Sequence, residues 1–169
     1  SCSFISNYSS SGGTISFGEV NTSITLSNSF LYNNYTQNSS DGGLINTGGS
    51  ITFQSNYVLS NRSSLENISL MFGSFQGENN SFIDNESNIV KFQSGGTETV
   101  NIENNYWGTK AESEINDLIY DFYDDPSFNT PIADFTPFLM GSSPTVAGSP
   151  SSITDLTIKI DSLYQSAYI

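Results

Sequence analysis

The sequence predicts an all-β solenoid, a parallel β-helix of about five coils with a short C-terminal capping helix and an extended C-terminal strand. Three observations carry that prediction. An aromatic residue flanked by asparagines recurs at Phe4, Phe30, Tyr57, Phe82 and Tyr106, at separations of 26, 27, 25 and 24 residues. Repetition at such a period marks folds in which each repeat buries its apolar face only by stacking on its neighbours. Between the aromatics, short runs rich in Ile, Val and Phe alternate with polar residues and are separated by Gly pairs and Asn/Ser clusters, as half-buried strands joined by turns require. The repetition then stops at Trp107, where a helical spacing takes over.

The coils align residue by residue. ITLSNSFLYNN (24–34) lies over ITFQSNYVLSN (51–61), so that Ile24 matches Ile51, Leu26 matches Phe53, Phe30 matches Tyr57 and Asn34 matches Asn61. VNIENNYW (100–107) follows with Val100, Ile102 and Tyr106 in the apolar places. Around Phe82, Gln76 and Glu78 fall where apolar side chains are expected, which predicts a bulge or a register shift. A second β-like run follows each aromatic: GGTISFGEV (12–20), GGLINTGG (42–49), NISLMFGS (67–74) and NIVKFQSGG (88–96). Short strands without a helix suit one β-helix coil; a leucine-rich repeat would carry more Leu and a propeller blade more residues. Asparagines near the coil ends are placed to form ladders, each side-chain amide bonding to its counterpart in the next coil.

Residues 1–110 are thus read as coils and 111–140 as a cap. In AESEINDLIYDF (111–122), Ile115, Leu118, Ile119 and Phe122 form one apolar stripe, predicting a helix over 111–122. Glu112 and Glu114 stand in its first turn, where the helix dipole favours negative charge. Asp124, Asp125 and Pro126 end it, and 132–139 continues the cap. Residues 141–152 (GSSPTVAGSPSS) have the composition of an extended linker. In 153–169, Leu156, Ile158 and Ile160 alternate with Thr157, Lys159 and Asp161, which predicts a half-buried strand.

NNYWGT (104–109), the helix, IYDFYDD (119–125) and DFTPFL (134–139) resemble the C-terminal end of right-handed parallel β-helix repeat proteins, the pectate-lyase-like superfamily. The resemblance covers roughly residues 1–140 and implies a right-handed solenoid. It also implies that sugar chemistry be considered, because enzymes of that superfamily are polysaccharide lyases and hydrolases. Such lyases use a basic residue as proton acceptor and often Ca²⁺ held by clustered carboxylates. Here the coils hold only Arg62 and Lys91 as bases, and their acids do not recur in register. A hydrolase would need two carboxylates across a groove. The denser acidic group, Asp117, Asp121, Asp124, Asp125 and Asp134, falls in the cap, where it suits helix termination and solvation; Asp121, Asp124 and Asp125 form a weak Ca²⁺ candidate without EF-hand spacing.

Composition narrows the function further. Four basic residues oppose 17 acidic ones, and with no His the formal charge is −13. Such a surface repels nucleic acid and anionic lipid. The absence of His removes imidazole zinc sites and Ser-His or Cys-His nucleophiles. No apolar stretch approaches a membrane span of about 20 residues. No cofactor is expected beyond covalent N-linked glycans. Cys2, the only cysteine, excludes an intramolecular disulfide and is expected as a small buried residue unless it pairs with another chain. Asn-x-Ser/Thr sequons stand at Asn7, Asn21, Asn34, Asn38, Asn61, Asn67, Asn79 and Asn85, which points to a secreted or cell-surface glycoprotein.

Placing the C-terminus before the N-terminus sets Ala167 over Ile24, Ile169 over Leu26, Cys2 over Asn28 and Phe4 over Phe30. Leu156, Ile158, Ile160, Ala167, Ile169, Cys2 and Phe4 are therefore the expected assembly residues. They would join copies head to tail, as tandem repeats or as separate subunits of a fibril or surface array without catalysis. The alternative is a carbohydrate-binding or adhesive module with aromatic and Asn residues lining a groove; a degenerate polysaccharide lyase or hydrolase stands third.

Overall fold

A computed structural model describes residues 2–10, 13–17, 23–37, 44–63, 66–70, 75–86, 88–92, 99–126 and 129–142; the linker beyond Ser142 and the 153–169 strand with its assembly residues lie outside the described residues. The chain forms an all-β parallel solenoid with almost no helix. A complete turn begins at Ser23–Ser27, bends at Asn28 and Ser29, continues through Phe30–Tyr32, bends again at Asn33 and Asn34, and passes through Tyr35–Thr36 to Ile45–Thr47. Successive turns pair in parallel, so each strand position becomes a sheet along the stack. The sheets run Ser23–Ser27, Ser50–Gln54, Phe75–Glu78; then Ser3–Ile5, Phe30–Tyr32, Tyr57–Leu59, Ser81–Ile83; then Tyr8–Ser9, Tyr35–Thr36, Arg62–Ser63; and finally Ile15–Phe17, Ile45–Thr47, Glu66–Leu70, Asn88–Phe92, Ile119–Tyr120.

The number of turns is about three, not five. Complete turns span 23–47, 50–70 and 75–92. Phe4 and Tyr106 belong to partial turns at the two ends. Among the described residues, the Phe4 turn supplies no strand to the sheet that opens the other turns. Tyr106 makes a single bridge with Ser81 before the chain leaves the stack.

The aromatic column is really two adjacent columns. Ser3 pairs with Phe30, Phe30 with Tyr57 and Ser81 with Tyr57, while Phe4 pairs with Leu31, Leu31 with Val58 and Phe82 with Val58. A one-residue slip turns a strand side chain to the opposite face. Phe30, Tyr57 and Tyr106 accordingly stand half-buried on the outer surface, whereas Leu31, Val58, Phe82 and Trp107 fill the interior. Inside, Phe53 stacks on Phe82 at 6.1 Å and Phe82 on Trp107 at 5.0 Å, which ties the last complete turn to the cap.

The turn expected to bulge or to shift register shows the shift and no bulge. Phe75 pairs with Ile51 and Gly77 with Phe53, so the polar Gln76 and Glu78 point outward. The turn is shorter, and ladder positions separated by 27 residues earlier in the stack are separated by 24 here, which shifts the apolar register without distorting the sheet. Gly77 occupies an inward place because the Phe75 ring already fills it: a Cβ there would lie 2.4 Å from Phe75 Cε1.

The capping helix is also shorter than its apolar stripe implies, Glu112–Asn116 instead of 111–122. Ile115 is its buried anchor. Ile119–Tyr120 abandon helical geometry to pair with Val90 and Lys91, because the last strand of the stack otherwise presents an unpaired edge. Thr99–Asn101 is covered in the same way by Ile132–Asp134. The Asn104 and Leu139 backbone N–H groups donate to the Pro137 and Asn105 carbonyls, which seals the final corner.

Candidate functional site

Two lines of buried side chains hold the turns together. The residues before them sit in the left-handed region: Asn28, Ser55, Asn79 and Asn104 at one corner, Ser6, Asn33, Ser60 and Asp84 at the other, with φ between 50° and 59°. Asn, Asp and Ser suit such corners because short polar side chains bond locally to the backbone. Each left-handed residue turns the next one inward.

At the first corner those inward residues are Ser29, Asn56, Asn80 and Asn105. Asn56 Oδ1 accepts from the Ser29 N–H at 3.0 Å, Asn80 Oδ1 from Asn56 at 2.9 Å and Asn105 Oδ1 from Asn80 at 2.9 Å. Their amide nitrogens donate back to the carbonyls of Leu26, Phe53 and Gly77. The second corner repeats the device with Asn7, Asn34, Asn61 and Asn85. There Asn34, Asn61 and Asn85 donate to the carbonyls of Phe4, Leu31 and Val58. The predicted Asn ladders are therefore present at both corners.

The second ladder is made of sequon residues. Asn34 is 1 % exposed and Asn61 0 %, with both amide hydrogens engaged. At each of these two sequons the nitrogen that would carry sugar is buried and both its hydrogens are spent. The Ser or Thr two residues on faces the interior as well, at Thr36 and Ser63, so ladder geometry itself writes Asn-x-Ser/Thr into the sequence. Asn7 and Asn85 are the ends of this ladder. Asn79 lies on a corner, outside both ladders. Asn21 and Asn38 lie outside the described residues, as does the side chain of Asn67.

Of the assembly residues, Cys2 is exposed, not buried, and faces Ser29: its N–H donates to Ser29 Oγ and its carbonyl accepts from Phe30. Phe4 is half-buried opposite Leu31. This register departs by one from the joined alignment. The outer edge of the first turn is formed by Ser3–Ile5, Tyr8–Ser9, Ile15–Phe17 and Ser23–Ser27, and among the described residues nothing pairs with it.

A groove of about 460 Å³ opens on the outer face beside the second corner, lined by Ser6, Asn7, Tyr8, Asn33, Tyr35, Arg62 and Glu86. Tyr8, Tyr35 and Arg62 share one register position. The two Tyr rings lie 5.7 Å apart and are 61 % and 40 % exposed. Arg62 pairs with Glu86 at 3.1 Å. Residue-by-residue alignment missed this group, although the Asn-Tyr-Ser, Asn-Tyr-Thr and Asn-Arg-Ser triplets directly after the left-handed residues mark it.

The two coil bases do not converge. Arg62 is on this face, and Lys91 Nζ sits 5.3 Å above the Tyr120 ring on another sheet. In the cap, Asp121 accepts from the Tyr123 and Ala133 N–H groups, and Asp124 accepts from the Asp121 N–H. The proposed Ca²⁺ ligands thus organise a turn, and no cluster of three acids gathers among the described residues. Tyr120 has its pKa raised, first by burial and then by the charges of Asp125 and Asp124. Searches against protein families, curated proteins and solved structures find no match to this chain.

Proposed function

We propose that this chain is a non-catalytic structural module of an extracellular fibril or cell-surface array, extended by laying a further tier from a second copy on its first turn. One observation carries the reading: the two ends of the stack are unlike. The C-terminal end is covered by Ile119–Tyr120, Ile132–Asp134 and the segment reaching Leu139, whereas the first-turn edge pairs with nothing among the described residues. An unpaired edge of backbone donors and acceptors templates strand addition. Contact between unlike ends does not close and generates a fibre. The negative charge would keep such fibres from bundling. The superfamily suggested by NNYWGT and DFTPFL, with its right-handed coil, belongs to this proposal.

The experiment is light scattering and electron microscopy of unglycosylated protein across a concentration series, beside Ile5→Pro. The Cys2 carbonyl and Ser6 N–H point to the second turn, so by parallel alternation Ile5 directs its backbone to the open edge. The parent chain is expected to form rods that lengthen with concentration, and Ile5→Pro to stay short with an unchanged melt. A monomer at every concentration, or rods indifferent to Ile5→Pro, overturns the reading.

The exposed Tyr8–Tyr35 pair beside Arg62 favours a second reading, an adhesive site for carbohydrate in that groove. Calorimetric titration with neutral and uronic oligosaccharides tests it. Binding should vanish in Tyr8→Ala and Tyr35→Ala.

A further inference from the structure

The sequon reading treats eight asparagines alike, but the fold does not. An N-linked glycan replaces one hydrogen of the side-chain nitrogen, so an acceptor needs a hydrogen that folding has not claimed and space outside the stack. Asn34 Nδ2 donates to the Phe4 carbonyl and to Asn61 Oδ1; Asn61 Nδ2 donates to the Leu31 carbonyl and to Asn85 Oδ1. Two hydrogens and two acceptors leave neither residue anything to substitute. Sugar attached there before folding would have to be accommodated in the solid interior between turns, where the neighbouring Val58 and Leu31 have no exposed surface.

Asn79 differs in each respect. It holds the left-handed corner at φ 59°, its backbone N–H donates to the Asn104 carbonyl, and among the described residues its side-chain amide has no hydrogen-bond partner. The corner column it shares with Asn28, Ser55 and Asn104 lies outside the buried ladder. We infer that Asn79 is an N-glycan acceptor and that the sequons at Asn34 and Asn61 are by-products of the ladder, incompatible with sugar in the folded protein. A glycan at Asn79 projects from the side of the stack between its ends, so it is compatible with a further tier on the first turn. The inference rests on the extracellular part of the proposed function, and its test does not depend on assembly.

The full chain is secreted from eukaryotic cells behind a cleavable leader, and the fraction with a cooperative melt is treated with peptide N-glycosidase in heavy-oxygen water, which marks every formerly glycosylated Asn. Heavy label is expected at Asn79 and absent from Asn34 and Asn61. Asn79→Gly, which keeps a residue tolerant of positive φ, should lose one glycan in mass with its melting temperature nearly unchanged. Label at Asn34 or Asn61 in folded protein, or no label at Asn79, overturns the inference. Because sugar addition is forced by the leader and read by mass, these outcomes stand apart from those of the rod-forming experiment on unglycosylated protein.

Discussion

Replacing Asn61 by alanine should be among the most damaging single polar substitutions in the stack. The side chain makes four hydrogen bonds: Nδ2 to the Leu31 carbonyl at 2.8 Å and to Asn85 Oδ1 at 3.1 Å, and Oδ1 from Asn34 N at 3.0 Å and Asn34 Nδ2 at 2.8 Å. At about 1 kcal/mol net for each bond, their loss costs about 4 kcal/mol. The buried Asn34 N–H is then left without an acceptor, which adds about 1–3 kcal/mol, while freed side-chain entropy returns roughly 1 kcal/mol. The expected loss is therefore about 4–6 kcal/mol, a large part of the roughly 5–15 kcal/mol of an ordinary domain. Urea unfolding followed by circular dichroism measures it, with Asn33→Gly as the control, since Asn33 is exposed and its side chain donates to Ser6 Oγ at the surface. Stacked turns depend on nearest neighbours, so a break at Asn61 should also uncouple the turns on either side and broaden the transition. If Asn61→Ala unfolds within about 1 kcal/mol of the parent, or no worse than Asn33→Gly, the ladder does not hold the stack as argued.

Three further outcomes follow from the packing. Gly77→Ala should cost about 1–3 kcal/mol in the same assay, because the new methyl displaces the Phe75 ring, itself packed between Phe53 and Phe92. Trp107→Ala should cost about 3–5 kcal/mol, whereas Trp107→Phe should cost about 1 kcal/mol: the smaller ring keeps the stack on Phe82 and removes an indole N–H that has no partner among the described residues. The folded-state pKa of Tyr120 is raised, so its contribution to stability is complete below the unfolded tyrosine pKa of about 10 and is lost as pH rises through the folded value; melting temperatures from pH 9 to 11 should fall, and fall less in Tyr120→Phe.

The period was legible because stacking makes every turn solve the same problem. Ile24 over Ile51 and Leu26 over Phe53 read correctly from spacing and are paired as read. The choice between adjacent aromatics was not legible from spacing alone. Phe82 and Tyr57 look equivalent in composition, yet one is inside and the other outside, because the turn from Asn56 to Asn80 is 24 residues long while the two rings are 25 apart, so Phe82 falls one place later and only the corner asparagines keep count. Aligning the repeats on Asn56, Asn80 and Asn105 instead of on the rings would have placed both columns. The helix was overread for a different reason. Ile119 and Phe122 continue a helical stripe, but the free edge at Val90 offers Ile119 a set of backbone bonds that three more helical residues cannot match. In the candidate site, the sequons were legible as motifs and not as geometry, since Asn-x-Ser/Thr is what an inward Asn followed by an inward Ser or Thr spells whether or not sugar is ever attached.

Why the ladders are built of asparagine, in a chain with 17 acidic residues, follows from the tier spacing. Identical groups in successive turns lie about 4.8 Å apart. Aspartates there would repel one another by about 3–4 kcal/mol per step at an effective dielectric of about 20. An amide is self-complementary: its nitrogen serves one turn and its oxygen the other, so the same residue can repeat indefinitely, and where it stops something must replace the next copy. At the C-terminal end that replacement is visible. Asn105 turns its nitrogen to the carbonyls of Gly77, Ile102 and Glu103, and the Asn105 carbonyl takes the Leu139 N–H from the cap. At the first turn, Asn7 donates to Asn34 Oδ1 just as an inner member does, and among the described residues no amide donates to Asn7 Oδ1. The first-corner ladder is therefore chemically closed at the C-terminal end, whereas the second-corner ladder retains at the first turn the acceptor that each inner turn uses to hold its neighbour. That difference, more than the exposed strand edge alone, is why a further tier is expected on the first turn and not on the last.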